Sequence, residues 1–489
     1  MTRQTRREFL ENTLLTAAAS AMAGGSLYRT ALADQQSTSP SERLRVAIVG
    51  LNGRGQSHLG AFAGRQDCEI VAVCDPDEAV GQNKGVAEVE KRTGKKPAFY
   101  VDVRKLLEDK SINVVSIATP NHWHALAAIW SMQYGKDVYV EKPVSHNVTE
   151  GRRIVDTARK HGKICQTGTQ SRSSVGTRQL MQFIHEGGIG EVKLARGLCY
   201  KSRGSIGPRG NYAVPAGVNY DVWCGPAPMN PLTRKQFHYD WHWQWDYGNG
   251  DLGNQGIHQM DLARWGLGVN DLGQGVLSYG GRLGYEDAGE TANTQVSIHD
   301  YGAKTLVFEV RGLPTTDLQG SRVGVIFYGT QGYAVMGSYE GGVVFDKDGK
   351  EVHKFNEGGD HFDNFVKAVR SRKVDDLHAD IEQGHLSSAL CHLGNISYRM
   401  GEVVSGTEIQ RRLETVKSKD ECLETFERVK VHLAANNISL DAARMHFGAP
   451  LVVDGKAEVF MGDMSNAANP HLTRNYRKGF EVPSTAQLV

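Results

Sequence analysis

Three short stretches of this 489-residue chain hold side chains whose types and spacing could do chemistry. The first runs from Leu44 to Gly55, LRVAIVGLNGRG, and is followed by the apolar run EIVAVCD, which ends on Asp75. Gly50, Asn52, Gly53, Arg54 and Gly55 form a turn between a strand and a helix. Its backbone amides and the helix N-terminus would receive a pyrophosphate, while the Asp75 carboxylate would accept hydrogen bonds from both hydroxyls of a ribose. An asparagine replaces the central glycine of the usual three. Asn52 is among the few residues that tolerate a left-handed backbone, so the turn could still form, with a side chain close to the phosphates. An ordinary strand–helix turn of an unrelated α/β domain would carry the glycines but not the acid at this spacing.

The second stretch is a pair of loops. Thr119-Pro120-Asn121-His122-Trp123-His124 follows the apolar run VVSIAT, and Glu141-Lys142-Pro143 follows DVYVE. Both fall at the carboxyl ends of predicted parallel strands, where open α/β sheets bind ligands, which makes Thr119, Asn121, His124, Glu141 and Lys142 candidate cofactor contacts. An ammonium such as that of Lys142, beside a reacting carbinol, can hold its oxygen and stabilise a developing alkoxide. Pro143 would fix the turn that aims it. The third stretch, FHYDWHWQWDYGNG, alternates aromatic Tyr239, Trp241, Trp243, Trp245 and Tyr247 with polar His238, Asp240, His242, Gln244 and Asp246. Period two predicts an extended segment with one aromatic and one polar face. Either the aromatic face is core, or some rings stack on a sugar while Asp246 or His242 binds its hydroxyls. His238 and His242 lack a third partner for a metal site, so no metal is expected.

The elements that must position these residues alternate as strand and helix from Leu44 to about Gly168, which predicts a doubly wound parallel sheet. Beyond it the rhythm changes. Short alternating segments at 275–280, 292–299, 304–310, 322–328, 333–336 and 342–345 predict a large, mostly antiparallel open sheet, closed by helices at 361–371 and 381–400. The expected organisation is a linker at 34–43, an α/β Rossmann domain at 44–168, an α+β domain at 169–400 and a less regular C-terminal extension at 401–489. Arg172, where the chain leaves the first domain, could reach a substrate oxygen or serve a local structural role.

Across about 44–400 the chain resembles the Gfo/Idh/MocA oxidoreductases, the glucose-fructose oxidoreductase and inositol dehydrogenase family, most specifically in the Glu141-Lys142-Pro143 triplet. The resemblance implies that Glu141 contacts the nicotinamide ribose and that Lys142 lies between the nicotinamide and the reacting hydroxyl. It also implies that His258, in GNGDLGNQGIHQMDLARW, is the catalytic acid/base. Inositol-dehydrogenase-like members carry an aspartate four residues before that histidine; here the position is Asn254, which can orient an imidazole but adds no charge. Asp251 or Asp261 could compensate, although Asp261 and Arg264 could equally form an ion pair along the helix. The implied activity is NAD-dependent hydride transfer at a sugar, polyol or glycoside hydroxyl. Asp75 favours NAD over NADP, because a 2′-phosphate would meet a carboxylate. Some relatives instead use bound NAD to oxidise a sugar transiently and eliminate a glycosidic substituent, so a glycosidase is the alternative, and a non-catalytic sugar-binding protein a third. Association into homo-oligomers is also implied by the resemblance alone.

The N-terminus, MTRQTRREFLENTLLTAAASAMAGG, resembles a twin-arginine export signal with Arg6 and Arg7, cleaved after Ala31-Leu32-Ala33, which would place the protein in the periplasm. The stretch from Thr13 to Gly25 is too short and too rich in small residues for a permanent span. Export of a folded chain suits a cofactor loaded beforehand. With 56 basic and 55 acidic residues, of which cleavage would remove four and two, the charge gives no reason to expect nucleic acid as a partner. Seven cysteines without a CxxC pair argue against a disulfide framework or a structural zinc site.

Overall fold

A computed structural model describes residues 42–416, 422–484 and 487. The twin-arginine segment, its cleavage site and all but the end of the linker lie outside the described residues. The first domain is a six-stranded parallel sheet of β1 (Leu44–Val49), β2 (Cys68–Cys74), β3 (Ala98–Tyr100), β4 (Val114–Ile117), β5 (Asp137–Val140) and β6 (Cys165–Thr167), in the order β3-β2-β1-β4-β5-β6. This is the double winding of a dinucleotide-binding domain, with the strand order reversing between β1 and β4. Every residue of β4 and β5 is buried, because helices cover both faces of such a sheet and each face must be apolar. The covering helices include α1 (Gly55–Ala63), α2 (Asn121–Gln133) and α3 (Val148–Lys160). A reciprocal cap starts α3: the Glu150 amide donates to Asn147 Oδ1 at 2.9 Å, and the Glu150 carboxylate accepts from the His146 amide at 2.7 Å.

The second sheet has twelve strands, ordered β14-β13-β12-β11-β7-β10-β9-β8-β16-β15 with β17 and β18 beside β8. They are β7 (Val192–Cys199), β8 (Gly275–Gly281), β9 (Thr294–Asp300), β10 (Thr305–Arg311), β11 (Val323–Gly329), β12 (Gly332–Met336), β13 (Gly341–Asp346), β14 (Glu351–Asn356), β15 (Glu402–Ser405), β16 (Arg444–Phe447), β17 (Leu451–Asp454) and β18 (Val459–Met461). Among the described residues of this sheet, only β7 and β10 pair in parallel. Helices α4 (Gly256–Leu267) and α5 (Ile381–Arg399) pack on this sheet, and α5 also packs on α3, which joins the two domains. The six expected strand segments fall on β8 to β13; β14 and the strands after residue 400 were not anticipated. The C-terminal stretch then returns to the first domain, where the Phe480 ring meets Trp123 and Trp130, while Arg477 pairs with Asp221 of the second.

The aromatic stretch departs from its expected form. Asp240–Trp243 is a turn of 3₁₀ helix rather than a strand, with Asp240, Trp241 and Trp243 all buried. A buried guanidinium explains the local folding. Arg234 stacks over Trp223, Phe237 and Tyr247 at 5.1 to 5.4 Å and donates to Gln244 Oε1 at 2.8 Å and to the Phe237 carbonyl at 3.0 Å. Cation–π stacking draws the rings around one centre, which a flat two-faced strand could not do.

Candidate active site

The glycine turn after β1 closes tightly. Gly50 holds the left-handed backbone (φ +85°), and a Cβ there would lie 2.7 Å from the backbone of Ala118 at the end of β4. A Cβ on Gly55 would lie 1.9 Å from the Gly50 carbonyl oxygen, so both positions require glycine. Asn52, expected to supply the left-handed residue, does not have positive φ; its Oδ1 instead accepts from Lys84 Nζ at 2.7 Å. Gly53 has open space around it, as a backbone that must approach a ligand requires. Asp75 is buried, with one carboxylate oxygen accepting from the Leu51 amide at 2.9 Å and the other from the Asp77 amide at 3.0 Å. Burial raises its pKa to about 6, against the pull of those two amides. Each oxygen keeps lone-pair capacity for a ribose hydroxyl.

Across the switch point, the loops after β4 and β5 meet over α2. The His124 ring nitrogens stand 2.5 Å from the Pro143 carbonyl and 2.7 Å from the Thr119 carbonyl, so this residue ties the two loops together. The Lys142–Pro143 peptide is cis. Glu141 is committed to other protein groups, with Arg54 Nε donating at 2.8 Å and His58 Nε2 standing 3.1 Å away. Burial would push the Glu141 carboxyl up, but the His58 contact and the Arg54 guanidinium hold it well below the usual range. His58, anchored through Nδ1 to Ser116 Oγ at 2.8 Å, was not singled out in the sequence; its place one helical turn beyond Arg54 is the only signal it gives. Lys142 Nζ reaches across to the second domain and donates to the Asn254 carbonyl oxygen at 2.9 Å. Burial lowers its pKa, with Glu141 opposing.

One cavity of about 510 Å³ joins these parts, lined at one end by Gly50 to Arg54 and Asp75 and at the other by Lys142, Asn254, Gln255 and His258. Its size suits a small-molecule site. Thr119, Asn121, His124 and Glu141 also line it. His258 is buried, and its Nδ1 has no hydrogen-bond partner among the described residues. Burial and the neighbouring Lys142 ammonium hold the imidazole well below its ordinary pKa, so it is neutral near pH 7 and can accept a proton. Neither expected carboxylate supports it: Asp251 pairs with Arg203 at 2.8 Å and Asp261 with Arg172 at 2.7 Å. The Asn254 contribution is its backbone carbonyl toward Lys142.

The second domain also supplies the roof. Residues 218–242 lie against the loop that carries Asp75: the Asn219 amide donates to the Pro76 carbonyl, Asp77 bridges to Val218, and His238 Nε2 stands 2.8 Å from Asp77 Oδ2. Trp223, Trp241 and His242 face the cavity, with His242 stacked on Trp241 at 3.7 Å. Lys201, Arg203 and Tyr239 complete the rim. Lys201 and Arg203 carry no local sequence motif, whereas Tyr239 belongs to the aromatic stretch whose rings are candidates for stacking on a sugar.

Two expected substrate contacts are placed elsewhere. Arg172 and Asp261 form a buried bidentate ion pair, at 2.7 and 2.9 Å, which Ser387 Oγ joins at 2.7 Å. Arg172 is therefore a positioning residue that ties α4, and with it His258, to the segment by which the chain leaves the first domain. Asp246 does not line the cavity and accepts from Asn230 Nδ2 at 2.7 Å. His238 is held by Asp77, and among the described residues no group of three or more His, Cys, Asp or Glu side chains is placed to hold a metal. All seven cysteines are buried.

Two family models match the chain: "Oxidoreductase family, NAD-binding Rossmann fold" at residues 44–169 and "Oxidoreductase family, C-terminal alpha/beta domain" at 205–279. Among curated proteins, a glycosyl hydrolase family 109 protein of Shewanella sp. (strain ANA-3) and an alpha-N-acetylgalactosaminidase of Shewanella oneidensis are each 34% identical over 157 residues. These matches span 31% of this chain and 34% of the relatives, about a third of their length. Among solved structures, the WlbA dehydrogenase of Bordetella pertussis in complex with NADH and UDP-GlcNAcA covers 73% of this chain and 97% of its own at 20% identity, with a TM-score of 0.55. An NAD binding oxidoreductase of Klebsiella pneumoniae covers 72% of this chain and 96% of its own at 20% identity, with a TM-score of 0.53. The parallel sheet with its glycine turn, the acid at the end of β2 and the Glu141-Lys142-Pro143 loop agree with these matches: residues 44–169 are an NAD-binding Rossmann domain of the oxidoreductase family, and residues 205–279 match that family's C-terminal alpha/beta domain.

Proposed function

We propose that this protein is an NAD-dependent oxidoreductase that acts on a hydroxyl of a sugar, polyol or glycoside. The observation that carries the reading is the single cavity running from Gly50 and Asp75 to Lys142 and His258. The turn amides and Asp75 would hold the dinucleotide, which supplies a hydride acceptor when bound. Lys142 would donate a hydrogen bond to the reacting oxygen and favour its alkoxide character. His258, neutral and with Nδ1 unpartnered, would take the hydroxyl proton as hydride leaves the adjacent carbon. The roof of residues 218–242 would exclude water from the reacting atoms.

A second reading, a glycosidase that oxidises its sugar transiently and returns the hydride after elimination, is favoured by two observations. The two curated relatives are named a glycosyl hydrolase family 109 protein and an alpha-N-acetylgalactosaminidase, and the His238–Asp77 contact fastens the roof over the ribose end of the cavity, as a resident cofactor would need. The test is whether purified protein retains NAD and cleaves an aryl glycoside without added cofactor. Cleavage establishes the second reading; net NAD reduction by a free sugar establishes the first. Neither reaction across a broad panel would reject both. Periplasmic residence through the twin-arginine route belongs to the same proposal. It rests on Arg6, Arg7 and Ala31-Leu32-Ala33, and replacing both arginines by lysine should leave the protein in the cytoplasm.

A further inference from the structure

The substrate end of the cavity has an unbalanced charge. Asp75 and Glu141 are the acids among the cavity's lining residues. Asp75 sits at the ribose end, and Glu141 is committed to Arg54 and His58. Lys142, Lys201 and Arg203 also line the cavity, the two lysines at the Asn254–Gln255 turn that precedes His258. Arg203 is neutralised by Asp251. The other two cations meet only neutral oxygens: Lys142 Nζ donates to the Asn254 carbonyl at 2.9 Å, and Lys201 Nζ donates to Gln255 Oε1 at 3.4 Å. Among the described residues, neither ammonium has a carboxylate within ion-pair distance.

Both ammoniums therefore converge on adjacent residues of the turn that leads into α4 and His258. Lys201 and Arg203 are two residues apart just beyond β7, and both line the cavity rim beside the half-exposed Tyr239, whose Oη lies 3.3 Å from Arg203 Nη1. The half-buried Lys142 ammonium lacks a counter-charge, which is costly, and Lys201 stands exposed at the rim beside it; a ligand anion is the group that would relieve the first and pair with the second. An oxidised nicotinamide would add a further positive charge at this end.

We infer that the sugar bound here carries an anionic substituent, a carboxylate or a sulfate ester, received by Lys201 together with Lys142 while the ring lies against Tyr239. The inference rests on the reading above that Lys142 and His258 mark the substrate end of the cavity. Full-length protein loaded with NAD should be titrated with the methyl glycosides of glucuronate, galacturonate, glucose 6-sulfate, glucose and galactose. Tryptophan fluorescence would report binding, and nicotinamide absorbance would report redox chemistry separately. A charge-assisted contact predicts about 10- to 100-fold tighter binding of an anionic member than of its neutral counterpart. Lys201→Met should abolish that preference, and Lys201→Arg should keep most of it. Preference for the uronates alone, or for the sulfate alone, supports the inference and identifies the anion. Equal or weaker binding of the anionic members, no binding of any member, or a preference that survives Lys201→Met overturns it. An anion bound selectively without any absorbance change leaves this inference standing and removes the redox function. A neutral sugar bound and oxidised does the reverse.

Discussion

Asp75 offers the sharpest test of how the cofactor is held. Its carboxylate is buried against two backbone amides, and burial raises its pKa to about 6. Because this lies above the value for an unfolded chain, its contribution to stability is fully present below about pH 4 and is lost as pH rises through about 6, the reverse of a salt-bridged acid. Ribose hydroxyls donating to the ionised form would recover that loss, so cofactor binding requires the carboxylate. The competent fraction of apo-protein is nearly one at about pH 8 and about one in eleven at about pH 5, so the apparent Kd for NAD should rise about tenfold between them. Asp75→Asn should weaken binding at about pH 8 and flatten the pH dependence. The assay is calorimetric titration of cofactor-free protein with NAD across this range, with thermal melts to confirm folding. NAD affinity that stays constant to within twofold, or that improves in acid, would refute the assignment of Asp75 to the ribose.

Three further outcomes follow from the same geometry. His258→Ala should lower turnover by roughly 10² to 10⁴, about 3 to 5 kcal/mol of barrier, with folding intact; a loss under about tenfold would remove His258 from the mechanism. Lys142→Met should move the acid limb of the turnover–pH profile upward, because removing the ammonium lets the His258 ring protonate more readily; an unmoved limb would separate the two residues. Arg172→Met leaves Asp261 buried without its bidentate partner and should cost about 3 to 5 kcal/mol by denaturant unfolding, whereas an exposed substrate contact would cost almost nothing.

The first domain was legible because its signals are local. Apolar runs such as VVSI and DVYV, a glycine turn and an acid at fixed spacing each follow from one βα unit, and strand ends locate the ligand side without long-range information. The second domain was legible as strands but not as a site. Lys201, Arg203 and Tyr239 meet Lys142 only through tertiary folding, and the pairing of Arg172 with Asp261 joins residues 89 positions apart. The aromatic stretch shows how a real period of two can mislead. Alternation in sequence predicts a pleated surface, but Arg234 gathers Trp223, Phe237 and Tyr247 around a buried charge and bends the backbone into a turn. Glu141 lines the cavity as expected, yet its capture by Arg54 and His58 depends on α1 packing on β1 and β2 so that the His58 ring reaches Ser116 and Glu141, which spacing alone does not state.

The central claim is that the groups gathered at His258 and Lys142 support hydride transfer from a sugar carbon. Its most direct test is to mix NAD-loaded full-length protein with sugars deuterated on the ring carbons, follow nicotinamide absorbance, and analyse the released cofactor by mass spectrometry. The account predicts a rise in reduced nicotinamide carrying deuterium, persistent for a net dehydrogenase and decaying for a redox-cycling glycosidase. Tight sugar binding with no absorbance change and no deuterium in the cofactor would contradict it.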